Sequence, residues 1–244
     1  MAETVNTYQF VADWVMRRAV KGETRVLDYG CGAGQIVGLL HARGILAYGC
    51  DVFYEGGDYS GDIPAALRPQ IRRMEGGAIP FEDASFDIVV SNQVFEHVPD
   101  MQAQILEIAR VLRPGGVALN VFPDAGVWRE GHCGVPFLHW FPKGGAIRVY
   151  YAAAARALGL GFHTQGKTTM QWARDFCVWL DKWTYYRPLR EIDARFSRTI
   201  GDTVHMEEAW FSARFNGRFD WLPLPLQRIC VRKGAGVVLV SSRV

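Results

Sequence analysis

The chain has 244 residues, 49% of them hydrophobic and 21% charged, with a formal net charge of +2. Such a length and apolar content suit one domain with a large insert or two small units. The small charge argues against a protein that coats nucleic acid through a general basic surface, and five cysteines without a CxxC pair argue against a disulfide framework or a zinc knuckle.

Residues 7–20 place Tyr8, Phe10, Val11, Trp14, Val15 and Ala19 at spacings of three and four, which predicts an amphipathic helix. Arg25 to Tyr29 reads as a short buried strand. Gln35 to Arg43 reads as a helix closed by Gly44. Ile45 to Val52 is a second strand, Gly56 to Pro64 a glycine-rich acidic loop, and Ile71 to Glu75 a weak third strand. Phe86 to Ser91 is a strong fourth strand. Met101 to Leu112 repeats apolar groups on one helix face, and Arg113-Pro114-Gly115-Gly116 ends it. Val117 to Phe122 is a fifth strand, and Tyr150 to Leu158 an alanine-rich helix. Arg228 to Val231 and Gly236 to Ser241 read as a closing hairpin turned by residues 232–235.

Alternating strands and helices predict an α/β fold, a doubly wound and mostly parallel sheet with an antiparallel closing strand. The division expected is a core over 1–160, a helical aromatic-rich cap over 161–227, and closing strands over 228–244. No run of 18 apolar residues occurs, so no segment is expected to cross a membrane. Met1 to Asn6 lack a basic leader and an apolar run, so a cytoplasmic protein with reduced thiols is expected.

Chemistry concentrates at the first strand. Val26-Leu27-Asp28-Tyr29-Gly30-Cys31-Gly32-Ala33-Gly34-Gln35 is a strand, a glycine turn and a helix start, and Asp51 closes the next strand. That spacing brings an acid to ribose hydroxyls. A dinucleotide fingerprint wants G-x-G-x-x-G, but here the third glycine comes one position early. Asp28 would also repel a pyrophosphate, whereas it suits a ligand carrying positive charge.

These residues resemble the class I S-adenosylmethionine-dependent methyltransferases, in their small-molecule branch. The match continues through Ile79-Pro80-Phe81, Ser85-Phe86-Asp87-Ile88-Val89, Ser91-Asn92-Gln93-Val94-Phe95-Glu96-His97-Val98 and Leu112-Arg113-Pro114-Gly115-Gly116, covering roughly residues 20–123. The resemblance implies S-adenosylmethionine as cofactor. It implies that Gly30, Cys31, Gly32, Gly34 and Gln35 form the turn under the methionine part, with Asp28 toward its ammonium. It further implies Asp51 on the ribose hydroxyls, Val52 on the adenine face, Glu75 and Gly76 by the adenine amino group, and Asn92 and Gln93 at the methyl end.

The acceptor is expected to be a small molecule rather than nucleic acid, because Ser91-Asn92-Gln93-Val94 replaces the Asn/Asp-Pro-Pro-Tyr/Phe of base-amino methylating enzymes. A hydroxyl acceptor, such as a sugar or glycolipid, needs a group to take its proton, which suits histidine. Candidates are His97 after the fourth strand, and His132 and His139 in the long loop after the fifth. Glu130, His132 and His139 also offer metal-ligand chemistry, but the reading adopted has no metal. Aromatic residues of 161–227 supply a second core or an apolar acceptor pocket. Arg187, Arg190, Arg195 and Arg198 read as solvated faces, with Glu191 and Asp193 between them. The rival readings are a C-methyltransferase of a quinone-like ring, a non-catalytic cofactor-binding module and a nicotinamide dehydrogenase.

Overall fold

A computed structural model describes residues 6–164 and 166–244. The leader-free start expected over Met1 to Val5 lies outside the described residues. The elements run α1 (Thr7–Met16), β1 (Arg25–Tyr29), α2 (Gln35–His41), β2 (Leu46–Asp51), β3 (Ile71–Arg73), β4 (Phe86–Asn92), α3 (Met101–Val111) and β5 (Leu112–Phe122). They continue with α4 (Ala146–Ala157), α5 (Thr169–Trp183), α6 (Leu189–Thr199), β6 (Thr203–His205), α7 (Glu207–Arg214), α8 (Leu224–Gly234) and β7 (Val237–Ser242).

One sheet holds all seven strands in the order β3-β2-β1-β4-β5-β7-β6. Strands β1 to β5 are parallel, and β7 runs antiparallel between β5 and β6. The central strands bury side chains on both faces, so their sequences are nearly continuous apolar runs. On one face Leu27, Tyr29 and Val89 meet Ile105 and Ile108 of α3 and Phe196 of α6. On the other, Val26, Ile88 and Val90 meet Trp14 of α1, Leu40 of α2, Phe211 of α7 and Val231 of α8. Strand order reverses between β1 and β4. Their carboxyl ends therefore splay apart and leave a crevice at that edge.

The closing hairpin is a correction. Arg228 to Val231 lies inside helix α8, and β7 pairs with β6 through Val204 and Val240. A four-residue apolar run does not distinguish strand from helix. Two contacts settle it physically: the buried Gln227 and Val231 share a helical face, and Arg228 and Arg232 pair with Glu208 and Glu207 of α7.

The helical stretch after β5 also divides differently from the expectation. Helices α4 and α5 build a small core of their own around Trp172, Leu180, Cys177 and Ala152, together with Cys133 and Leu138 of the loop after β5. Helices α6 and α7 instead cover the two faces of the main sheet. The apolar stripe of α6 (Ile192, Phe196) is narrow and its other faces are charged, which suits a helix covering a sheet. All five cysteines carry free thiols, four of them buried. Among the described residues, no helix is long and apolar enough to cross a membrane.

Candidate active site

The crevice at the carboxyl ends of β1, β2 and β4 opens into a cavity of about 1130 Å³. Single-ligand pockets usually measure roughly 300–1,000 Å³. The space therefore suits two ligands side by side.

One end is built by the turn between β1 and α2. The N–H groups of Gly30 and Cys31 donate to the Cys50 carbonyl at 2.8 and 3.1 Å, which ties the turn onto β2. Gly30 has φ +73, and a Cβ there would lie 2.4 Å from Val94 Cγ2. Only glycine combines that backbone with that approach. The Asp51 carboxylate is aimed by two backbone donors, Gly32 N–H to Oδ2 at 2.9 Å and Phe53 N–H to Oδ1 at 2.8 Å. Each oxygen keeps a lone pair for a ligand.

Asp28 is 2% exposed, and its carboxylate makes no hydrogen bond among the described residues. Burial, and then the Asp51 charge, push its carboxyl well above the usual range. A buried, unpaired carboxylate at a cavity wall is costly unless a cation or donor meets it. Val52 is 43% exposed beside it, an apolar surface open to the same space.

The expected cofactor residues are brought together here with two exceptions. Asp28, Gly30, Cys31, Gly32, Gln35, Asp51, Val52, Gly76, Asn92 and Gln93 all line the cavity. Gly34 does not; it caps α2 from behind, and a Cβ there would meet Ile71 Cδ1 at 2.5 Å. Glu75 does not either. Met74 N–H extends the ladder by donating to the Asp51 carbonyl, and alternation then turns Met74 into the cavity and Glu75 to solvent. The extended register was the available signal for Met74.

The other end is a polar cluster inside an aromatic wall. His97 and His132 line the cavity with Nε2 atoms 3.1 Å apart. His97 Nδ1 sits 2.7 Å from the Trp183 carbonyl. His132 Nδ1 sits 2.6 Å from Glu130 Oε1. Glu130 is fully buried and also accepts from the Tyr186 hydroxyl at 2.6 Å and the Cys133 N–H at 2.7 Å. Burial would raise the Glu130 carboxyl, but the His132 and Tyr186 contacts outweigh it and hold it at about 2. Burial lowers the His132 imidazole, and Glu130 more than reverses that. His97, buried and beside His132, is held down at about 4. Glu96 lies against the pair, 1% exposed, with both carboxyl oxygens unpartnered and its carboxyl pushed up to about 7 by burial.

Trp179 packs 5.1 Å from the His132 ring, and Tyr54 packs 4.9 Å from Trp183. The sequence already grouped Glu130 with His132, whereas Glu96 as a neighbour of both histidines was not expected from it. His139, also a candidate, does not line the cavity. It sits in a short 3-10 turn, its ring 4.7 Å from Tyr186.

Residues 27–120 match the family described as "Methyltransferase domain". The ubiquinone biosynthesis O-methyltransferase of Pseudomonas syringae pv. tomato is 31% identical over 116 residues, covering 43% of this chain and 46% of that protein. The chain spans about half the length of such curated relatives. Among solved structures, geranyl diphosphate C-methyltransferase from Streptomyces coelicolor shares the fold, with TM-score 0.51 and 15% identity over 96% of this chain and 75% of that one. Phosphoethanolamine N-methyltransferase 2 of Haemonchus contortus does so with TM-score 0.55 and 14% identity, over 100% of this chain and 54% of that one. Residues 27–120 therefore form a methyltransferase domain of the class I S-adenosylmethionine-dependent kind, carried on this sheet.

Proposed function

We propose that the protein is an enzyme that transfers a methyl group from S-adenosylmethionine to the hydroxyl oxygen of a small molecule. The observation that carries the cofactor is the pairing of a buried, unpartnered Asp28 with an Asp51 carboxylate fixed by two backbone donors. A phosphate-free adenosine with an ammonium group fits both, and a pyrophosphate fits neither.

When bound, the cofactor supplies an electrophilic methyl carbon, whose C–S electron pair returns to sulfur as the new C–O bond forms. The chain's own residues do the rest. Asp28 holds the ammonium and Asp51 the ribose hydroxyls, while Val52 and Met74 offer apolar contact to the base. Asn92, the last residue of β4, and Gln93 just past it orient the methionine end. His132, backed by Glu130 and Tyr186, faces the acceptor half of the cavity and activates the hydroxyl there. Tyr54, Trp179 and Trp183 wall that half against water and present apolar surface to the acceptor. Orientation along the S–CH₃ axis supplies much of the rate, since the sulfonium is already activated.

Oxygen transfer is favoured over carbon transfer by the polar cluster. A C-methylated ring needs an enolate-like carbon, whereas a hydroxyl needs the activating group that His132 and Glu130 provide. Incubation with radiolabelled donor and fractionated small-molecule extracts, followed by mass spectrometry of the labelled product, tests this. Label on oxygen supports the reading; label on carbon, or no label in any fraction, overturns it.

A pH dependence follows from Asp28. Its carboxyl is raised in the free protein by burial and Asp51, and a neighbouring ammonium stabilises the ionised form. Affinity for S-adenosylhomocysteine therefore rises with pH through the raised Asp28 pKa and weakens below it. The ligand's own ammonium stays charged through neutral pH, so the slope reports the cavity carboxyls, Asp28 together with Asp51, which burial also raises. Calorimetry across the acidic range checks it, and Asp28→Asn is expected to make the profile shallower while weakening binding.

A further inference from the structure

The two histidines at the acceptor end pose a problem of hydrogen positions. The Trp183 carbonyl only accepts, so His97 Nδ1 carries its hydrogen. Glu130 Oε1 accepts from both Tyr186 and His132, so His132 Nδ1 carries its hydrogen too. In the neutral rings both Nε2 atoms are then bare lone pairs, and they face each other at 3.1 Å. Two lone pairs at that distance repel unless a cation lies between or beside them.

Third to the group is Glu96. Its ligand oxygen lies within 4.8 Å of a ring nitrogen of each histidine, and the carboxylate is buried with no hydrogen-bond partner. A buried carboxylate in that state calls for a cation or a proton, and one metal ion shared with the two rings would serve all three groups.

We propose that Glu96, His97 and His132 form a binding site for a divalent transition-metal ion at the acceptor end of the cavity. Bonds of about 2.0–2.1 Å from one ion to two imidazole nitrogens separate those nitrogens by roughly 2.9–3.4 Å in octahedral or tetrahedral geometry. The observed 3.1 Å falls in that interval. Each imidazole also has the outer partner that metal-bound histidine normally needs: a backbone carbonyl for His97, and a buried carboxylate for His132. Two nitrogens and one carboxylate suit zinc, iron or manganese rather than calcium or magnesium.

Three protein ligands leave coordination positions open, and both histidines line the cavity. With its Nε2 on the ion, His132 would act through the metal rather than take the proton itself, and an acceptor hydroxyl held there would be acidified and oriented by the ion. This deepens the hydroxyl-acceptor reading and rests on it, and it departs from the metal-free site expected from sequence. The cluster escapes a spacing search because Glu96 and His97 are adjacent in a 3-10 turn while His132 arrives from the loop after β5.

The test is metal binding, read apart from turnover. Chelator-treated protein is dialysed against micromolar Zn²⁺ or Co²⁺, and bound metal is counted by plasma mass spectrometry. One ion per chain is expected. Glu96→Gln, His97→Gln and His132→Gln should each lose stoichiometric binding, and Glu130→Gln should weaken it by about 10–100-fold. His139→Ala should bind as wild type does. Calorimetry with S-adenosylhomocysteine on each variant shows that the fold and the cofactor end survive, and its failure would strike the cofactor reading rather than this one. Wild-type protein that binds neither ion, or binding that persists in His132→Gln and Glu96→Gln, would overturn the proposal and leave a shared proton between the two rings.

Discussion

Asp51→Ala is expected to weaken S-adenosylhomocysteine binding by at least about 100-fold, or roughly 2.8 kcal/mol. Hydrogen bonds to a charged group are worth about 1.5–3 kcal/mol each, and a bidentate grip on two ribose hydroxyls makes two of them. Alanine also strands the Gly32 and Phe53 N–H groups that now aim the carboxylate. Asp51→Asn separates these effects. It keeps the volume, but its NH₂ must face either a backbone donor or the ribose with the wrong polarity. Both variants should bind far more weakly than wild type in calorimetry, and the asparagine variant should retain more thermal stability. Exposed Asp58→Ala, by comparison, should bind normally. Equal affinity for wild type and Asp51→Ala would remove the ribose contact from the account.

Gly30→Ala is expected to damage stability and binding together. The position has φ +73, which costs a non-glycine residue about 1–2 kcal/mol. The added Cβ would also lie 2.4 and 2.7 Å from the two Val94 methyls. Val94 is β-branched and stiff, so it cannot swing aside cheaply, and overpacking of this kind costs roughly 1–3 kcal/mol. A sum of about 2–5 kcal/mol corresponds to a melting temperature lower by roughly 5–15 °C in a chain of this size. The double variant Gly30→Ala/Val94→Ala relieves the overlap but not the backbone strain. It should recover part of the stability. Recovery to the wild-type melting temperature would show that the φ angle is not constraining.

What was legible in the sequence was local. Asp28, the glycine turn and Asp51 lie on two adjacent strands, and their roles in the turn follow from nearest-neighbour geometry. The alternation of strands and helices set the sheet in the same way. Distant pairings were not legible. Nothing in the chain near Arg228 to Val231 shows that its partners are Glu207 and Glu208 of α7, so a short apolar run was read as a strand. His97 meets Trp183 across 86 positions and His132 across 35, which no spacing rule spans. Glu75 illustrates a smaller failure. The strand was identified, but one residue of register decides whether 74 or 75 faces the cavity. His139 stood in the right loop, but its ring packs 4.7 Å from Tyr186, outside the cavity wall.

Soaking crystals with S-adenosylhomocysteine tests the central claim most directly. The account predicts density for one molecule in the crevice, its ribose hydroxyls on Asp51, its ammonium toward Asp28 and its sulfur directed at the half of the cavity that holds His97 and His132. A crevice that stays empty at saturating ligand, or a ligand seated away from both carboxylates, would contradict it.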